Sequence, residues 1–299
     1  VLPVETLYDP VLQKHTTVPV TRGGDVGLKT LITYSQPLAL AEKEAAKKEV
    51  KRVRFLARQE KRKRLSDKSV SRKQHGSKRW LKAKVKQGRI HTQIANQRRD
   101  YLRKEAKILV EHTAIVCLED LNVRFMLQNK HLSKAASDAS LGAFKQYIQW
   151  EAIKYGHLVI ECGRFDATSK TCHNCSYYYK DLTLKERTWT CPGCAKVLDR
   201  DDNAAINIRH MALLKTIKGL NDGSIVLHSS KASGLQRQGS GVPKMLSPYP
   251  LHKDLTTFIE RGGLTSLSTL QCVGECQTNE AFISPKQRAR VCKERTQAS

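Results

Sequence analysis

Two short cysteine pairs place the tightest constraint on this chain. Cys172-His173-Asn174-Cys175 and Cys191-Pro192-Gly193-Cys194 are C-x-x-C knuckles with fifteen residues between them. Together they supply four thiolates that can close a tetrahedron, the geometry Zn²⁺ takes in structural sites. Tyr177–Tyr179 and Trp189, between the knuckles, are strand formers, as the hairpin of a zinc ribbon requires. The spacing predicts a ribbon over 166–198 holding Zn²⁺ on Cys172, Cys175, Cys191 and Cys194. Four thiolates leave no open position on the metal, so the expected zinc is structural rather than catalytic. Four unliganded buried thiols would not account for two knuckles in one short ribbon, and His173 reads as a surface residue rather than a ligand.

The other five of the nine cysteines carry less. Cys117 lies in an apolar run and reads as core packing, as does Cys162. Cys272 and Cys276 have C-x₃-C spacing, and Cys292 does not complete a four-ligand set. The chain has no run of 18 apolar residues and no basic-then-apolar leader. No membrane contact and a cytoplasmic location are therefore expected.

The 299 residues hold 53 Lys+Arg against 28 Asp+Glu, a net charge of +25, which points to a polyanionic partner. The excess is concentrated: residues 41–110 hold 25 basic and 7 acidic side chains, or +18 of the total. No proline occurs between Pro37 and Pro192, and 41–110 is built from strong helix formers. Apolar positions recur there at helical spacing, at Val50, Val53 and Ala57 and again at Ile90, Ile94, Tyr101, Ala106 and Leu109. With a break around Ser69–Ser77, this predicts a basic helical hairpin with a narrow apolar stripe and a cationic face. Trp80 and Tyr101 fall on helical spacing and read as core, whereas Trp189 is a candidate for base stacking.

Strands are predicted over Leu28–Tyr34, Thr113–Leu118 and Leu158–Glu161, and helices over Gly142–Lys154 and Ala204–Leu214. Their order predicts a mixed α/β domain over 22–218, with the helical insertion at 41–110. Residues 219–299 are rich in Gly, Ser, Gln and Pro and lack a sustained period, so they are expected to be a largely irregular, disordered tail.

Three carboxylates stand at predicted element edges. Asp25 lies in a small-residue run, Gly23-Gly24-Asp25-Val26-Gly27, read as opening a strand; small neighbours let a ligand approach closely. Glu119 ends the apolar run through Leu118, and Asp201 lies at the mouth of a helix in Asp199-Arg200-Asp201-Asp202. Acids at a helix start are also ordinary N-terminal stabilisers, a reading that applies most to Asp199 and Asp202.

These residues carry a resemblance. Gly24-Asp25-Val26-Gly27-Leu28-Lys29, then Ile115-Val116-Cys117-Leu118-Glu119-Asp120-Leu121-Asn122, the two knuckles, and Asp199-Arg200-Asp201-Asp202-Asn203-Ala204-Ala205-Ile206-Asn207 stand in the order seen in TnpB (OrfB) proteins, transposon-encoded relatives of type V CRISPR effector nucleases. The basic insertion is also similar, including Ser77-Lys78 and Asn96-Gln97-Arg98-Arg99-Asp100. The resemblance covers about residues 20–215. It implies an α/β, RNase H-like (RuvC) nuclease domain with a long helical insertion and an inserted zinc ribbon. It further implies Asp25, Glu119 and Asp201 as catalytic residues converging on Mg²⁺ or Mn²⁺, with DNA and a guide RNA as partners. Lys78, Arg79, Arg98, Arg99 and Arg103 then become the expected nucleic-acid contacts.

The sequence departs from the family pattern in three places. Residues 1–21 stand where the family has a long N-terminal region with an oligonucleotide-binding barrel, and are expected to be a remnant of it. Ser176 and Ala195 follow the knuckles where family ribbons place Gly, and Gly24 stands where a β-branched residue is common. Two functions follow. One is a transposition-linked endonuclease hydrolysing DNA phosphodiesters by a two-metal mechanism. The other is a nucleic-acid-binding remnant that keeps the ribbon and the basic face without effective cleavage.

Overall fold

The structure, a computed structural model, describes residues 1–9, 14–28, 30–36, 58–183, 185–226, 244–247, 249 and 251–265. The chain divides into two compact units, Val1–Gln36 with Leu109–Ser299, and Pro37–Ile108.

The first unit is built on a four-stranded sheet of β3 (Thr21–Asp25), β4 (Thr33–Tyr34), β5 (Ile115–Leu118) and β6 (Leu158–Glu161), in the order β4-β3-β5-β6. β4 runs antiparallel to β3, whereas β3, β5 and β6 are parallel. All four residues of β5 are buried, as the central strand of a sheet covered on both faces must be. Helix α5 (Leu141–Tyr155) links β5 to β6 and buries Leu141, Phe144, Ile148 and Ala152. Helix α6 (Arg200–Asn221) packs Ile208, Ala212 and Leu213 into a core with Ile115, Cys117, Leu158 and Ile160. Cys117 and Cys162 are buried in that core, and their thiols are pushed above the ordinary range, first of all by burial.

β3 and α6 touch backbone to backbone. A Cβ on Gly23 would overlap the Ala205 carbonyl oxygen and stand 2.9 Å from Arg209 Cβ. Of the strand expected at Leu28–Tyr34, only Thr33–Tyr34 forms among the described residues, and the longer strand lies before it. The strand is Thr21–Asp25, with Gly-Gly inside it, and Asp25 closes it rather than opening one. Glycine is unfavourable in a strand, and contact with the helix overrides that preference.

Other boundaries fall within a few residues of expectation, except that α6 extends well past Leu214 to Asn221. The sequence pattern did not reveal the antiparallel hairpin of β1 (Val4–Asp9) and β2 (Lys14–Pro19), nor the short helices α3 (Val123–Gln128) and α4 (Ser133–Ala139). It also misjudged part of the tail. Helix α7 (Lys253–Glu260) buries Leu255 and Ile259, and these join the main core together with Leu264. A short parallel pair, Ile225–Val226 with Lys244–Met245, precedes it. Cys272, Cys276 and Cys292 lie outside the described residues.

In the second unit, helix α1 runs through 58–71 and α2 (Lys78–Glu111) begins after a turn in which Gly76 takes φ +78°. The break falls within the expected span. Val50, Val53 and Ala57 lie outside the described residues. Asp67 on α1 accepts from the Gln87 side chain on α2 at 2.6 Å, so the two helices run back along each other. Trp80 and Tyr101 are half-buried, Trp80 packing against the His75 ring at 4.3 Å. Among the described residues, no helix is long and apolar enough to cross a membrane.

Two glycines should respond in opposite directions. Gly23→Ala forces β3 and α6 apart and should lower unfolding free energy by about 3 kcal/mol. Gly88→Ala, in the interior of α2 with open space around it, should raise it by about 0.5–1 kcal/mol. Urea unfolding of the two variants checks both signs.

Candidate metal centres

The ribbon hairpin is β7 (Thr188–Thr190) paired with β8 (Val197–Asp199), with Trp189 opposite Leu198. Trp189 is buried with Leu182, Leu198, Cys172 and Cys191, so it forms the ribbon's own core and is not available to stack on a base. Tyr178 contributes only an isolated bridge to Thr171.

The sulfur atoms of Cys172, Cys175, Cys191 and Cys194 lie within 4.8 Å of one another. Cys172 and Cys194 are 3.7 Å apart, and Cys175 and Cys191 are 3.5 Å apart. A zinc–thiolate tetrahedron with bonds of about 2.3 Å has sulfur–sulfur edges of roughly 3.8 Å. The donor set therefore fits Zn²⁺ in both chemistry and size. Cys172 is lowered to about 5, first by a hydrogen bond from the Cys175 thiol, while Cys175 is driven above the usual thiol range by the same bond and by burial. One thiolate forms readily and opposes the next, so a cation is needed to hold all four ionised. The knuckle turns bring Ser176 N–H to the Cys172 carbonyl at 2.9 Å and Ala195 N–H to the Cys191 carbonyl at 2.8 Å. Both residues take left-handed backbone, at φ 61° and 57°, which is why glycine suits these positions. His173 is half-buried and faces Asn203 instead of solvent, a correction to its reading as a surface residue.

The acidic site is built by the sheet. Gly24 pairs with Leu118 across the parallel β3–β5 ladder, so the next residues, Asp25 and Glu119, stand side by side at the C-terminal ends of their strands. Asp201 joins them from the first turn of α6, one turn before the Ala205–Gly23 contact. Burial raises Asp25 to about 6, with the Asp201 charge as the next cause. Burial likewise raises Glu119 to about 7, followed by the charges of Asp25, Asp120 and Asp166. The three sequence-predicted acids thus share one electrostatic neighbourhood.

Their convergence is incomplete. Among the described residues, the cysteine set is the one group of three or more such side chains with ligand atoms within 4.8 Å of one another. Arg187, just before β7, places Nη1 at 3.0 Å from both Asp201 oxygens. Around them, Arg164 binds Asp120 at 2.9 Å and Lys145 binds Glu161 at 2.9 Å. Asp199 is the N-cap of α6, accepting from the Asp201 and Asp202 amides at 2.9 and 3.1 Å, so its ordinary capping role holds.

On the second unit, Lys78, Arg79, Arg99 and Arg103 are exposed and Arg98 is half-buried; Arg99 donates to Asn96 at 2.8 Å. The sequence reading missed Arg187, and it missed Asn203 and Asn207, buried carboxamides on α6. Two Asn four residues apart inside a helix were the available signal, since Asn is unfavourable there unless its side chain is bonded elsewhere.

Comparison with known proteins gives the following. Residues 3–130 match the OrfB_IS605 family, described as "Probable transposase", and residues 142–208 match the Cas12f1-like TNB domain. A Streptomyces pristinaespiralis protein, provisionally named an RNA-guided DNA endonuclease, is 34% identical over 238 residues, 77% of this chain and 56% of that protein. A Mycobacterium tuberculosis protein of the same name is 29% identical over 220 residues, 69% of this chain and 45% of its own length. A TnpB-like protein of Acanthamoeba polyphaga mimivirus is 30% identical over 140 residues, 44% of this chain and 26% of its own. The chain therefore spans about half the length of the bacterial relatives. A Cas12f1–sgRNA–target DNA complex aligns with TM-score 0.38 and 18% identity over 69% of this chain and 44% of that one.

Two measurements follow from the site. The purified chain should carry about one zinc, lost in Cys175→Ser together with the ribbon's fold, because binding energy in such sites is folding energy; metal analysis and near-UV dichroism read both. The raised Asp25 and Glu119 favour folding when protonated. Their stabilisation is full below their ordinary values of 3.8 and 4.5 and is lost as pH rises through about 6 and about 7. Between pH 4 and 7 the parent's Tm should therefore fall relative to that of the Asp25→Asn, Glu119→Gln double variant.

Proposed function

Because the chain belongs to the TnpB (OrfB) family, with its transposase-related proteins named as RNA-guided DNA endonucleases, we propose that it is a nucleic-acid-binding endonuclease acting on DNA phosphodiesters. One observation carries this reading: Asp25, Glu119 and Asp201 leave adjacent elements at the same end of the sheet, close enough that each charge acts on its neighbour. The strand order β4-β3-β5-β6, with only β4 antiparallel, and α6 laid across β3 also support an RNase H-like (RuvC) core over 22–218. Guide RNA and target DNA are its partners in this reading, and DNA recombination during transposition is its setting.

Asp25, Glu119 and Asp201 would hold Mg²⁺ or Mn²⁺, which suit hard carboxylate oxygens. Two such ions, when bound, activate water and stabilise the leaving oxygen. The chain's own residues do the rest. Asp25 and Glu119 give up their protons near neutral pH, so cation binding releases protons. Arg164 and Lys145 neutralise Asp120 and Glu161, which limits the repulsion a phosphate meets on that side. Lys78, Arg79, Arg98, Arg99 and Arg103 bind backbone phosphates without reading sequence, with a strong salt dependence. The four cysteines hold Zn²⁺ and fold the ribbon over 166–198.

The Arg187–Asp201 ion pair favours a second reading, binding without effective cleavage. Incubation with DNA in Mg²⁺ or Mn²⁺ separates the two. The endonuclease reading expects cleavage that stops on chelation and falls to background in Asp201→Ala. Binding without cleavage in either ion supports the remnant, and cleavage that survives Asp201→Ala overturns the proposed site.

A further inference from the structure

The first knuckle is fastened to α6 by side chains outside both metal-ligand sets. Asn203, 1% exposed, donates from Nδ2 to the Thr171 carbonyl at 2.8 Å, and its Oδ1 accepts from the His173 backbone N–H at 2.9 Å. Asn207, one turn along, donates to the Thr168 and Thr171 carbonyls at 2.7 and 2.6 Å. Lys196, between the second knuckle and β8, donates to His173 Nε2 at 3.2 Å. An ammonium has no lone pair, so Nε2 must accept and the ring proton sits on Nδ1, which donates to Asn203 Oδ1 at 3.0 Å. One hydrogen-bonded path therefore runs from the second knuckle, through a residue inside the first, to the helix that carries Asp201.

The start of α6 depends on the ribbon in two further ways. Asp199, the cap of its orphan amides, is the last residue of β8, and the Arg200 N–H donates to the Arg187 carbonyl at 2.7 Å. We infer that Asn203, Asn207 and His173 are positioning residues that couple the zinc ribbon to the acidic site, so that folding of the first knuckle around its metal fixes the first turns of α6 and the place of Asp201. Buried carboxamides tolerate desolvation only while their partners are present. Residues 168–173 present those partners only along the knuckle's folded path. Losing the metal unfolds that path and removes the donors and acceptors together. The coupling is reciprocal: whatever factor zinc adds to divalent-ion affinity at the acids, the divalent ion adds to zinc affinity.

The metal-affinity arm rests on the proposed divalent site; the helix-order arm does not. The test uses the full chain as parent, as Asn207→Ala and as Asn203→Ala with Asn207→Ala. Zinc content, hydrogen exchange over 199–209 and Mn²⁺ affinity by electron paramagnetic resonance are measured for each. Zinc should stay at about one per chain, because its four thiolates are untouched. Exchange over 199–209 should speed up about tenfold and Mn²⁺ should bind about tenfold more weakly, while exchange in Ile115–Leu118 stays unchanged. Removing zinc from the parent should reproduce the faster exchange. If the double variant loses its fold, Asn207→Ala alone should still show faster exchange with zinc retained. Unchanged exchange over 199–209, both in a folded variant and after zinc removal, overturns the coupling. Faster exchange in a parent that never binds Mn²⁺ leaves the coupling standing and refutes the divalent site instead.

Discussion

The arrangement depends on the direct backbone approach of β3 and α6 at Gly23 and Ala205. A helix packed on a sheet usually stands off by the length of two side chains, and here one of those layers is missing. That closeness brings the first turn of α6 level with the end of β3, so the charge of Asp201 acts on Asp25. The same helix then serves three purposes along its length. Asp201 pairs with Arg187 beside the acids, Asn203 and Asn207 hold the ribbon, and Ile208, Ala212 and Leu213 fill the core. Its 3.6-residue period lets these faces coexist.

Charge is organised against the chain's overall balance. A molecule with an excess of 25 positive charges keeps Asp25, Glu119, Asp120, Glu161, Asp166 and Asp201 near the C-terminal ends of three parallel strands. Arg187, Arg164 and Lys145 offset part of that field, while burial raises the two innermost carboxyls. The result is a locally anionic cluster in a cationic protein, which on the proposed reading draws in a divalent ion.

What the sequence disclosed was local. The knuckles were legible because metal-ligand spacing is a short-range property, and β5, β6 and α5 because apolar runs and periods are too. Glu119 and Asp201 were findable because they sit at element ends. What it hid was long-range. Gly23 and Gly24 read as the opening of a strand because their place inside one is explained only by the helix laid against them. Asn203 and Asn207 looked like ordinary polar positions, since their partners lie 30 or more residues away in sequence. Helix α7 has two buried apolar residues, too few to stand out from a Gly- and Ser-rich tail, and its order comes from the core it joins. Arg187 was one basic residue among 53.

The central claim is that Asp25, Glu119 and Asp201 form a divalent-ion site at the end of the sheet. Anomalous diffraction from crystals of the chain grown with Mn²⁺ tests it most directly. The account predicts manganese peaks within bonding distance of the Asp25 and Glu119 carboxylates, Asp201 turned from Arg187 toward the ion, and a separate zinc peak inside the four cysteines. Manganese bound elsewhere, with Asp201 still paired to Arg187 and no density between the acids, would contradict it.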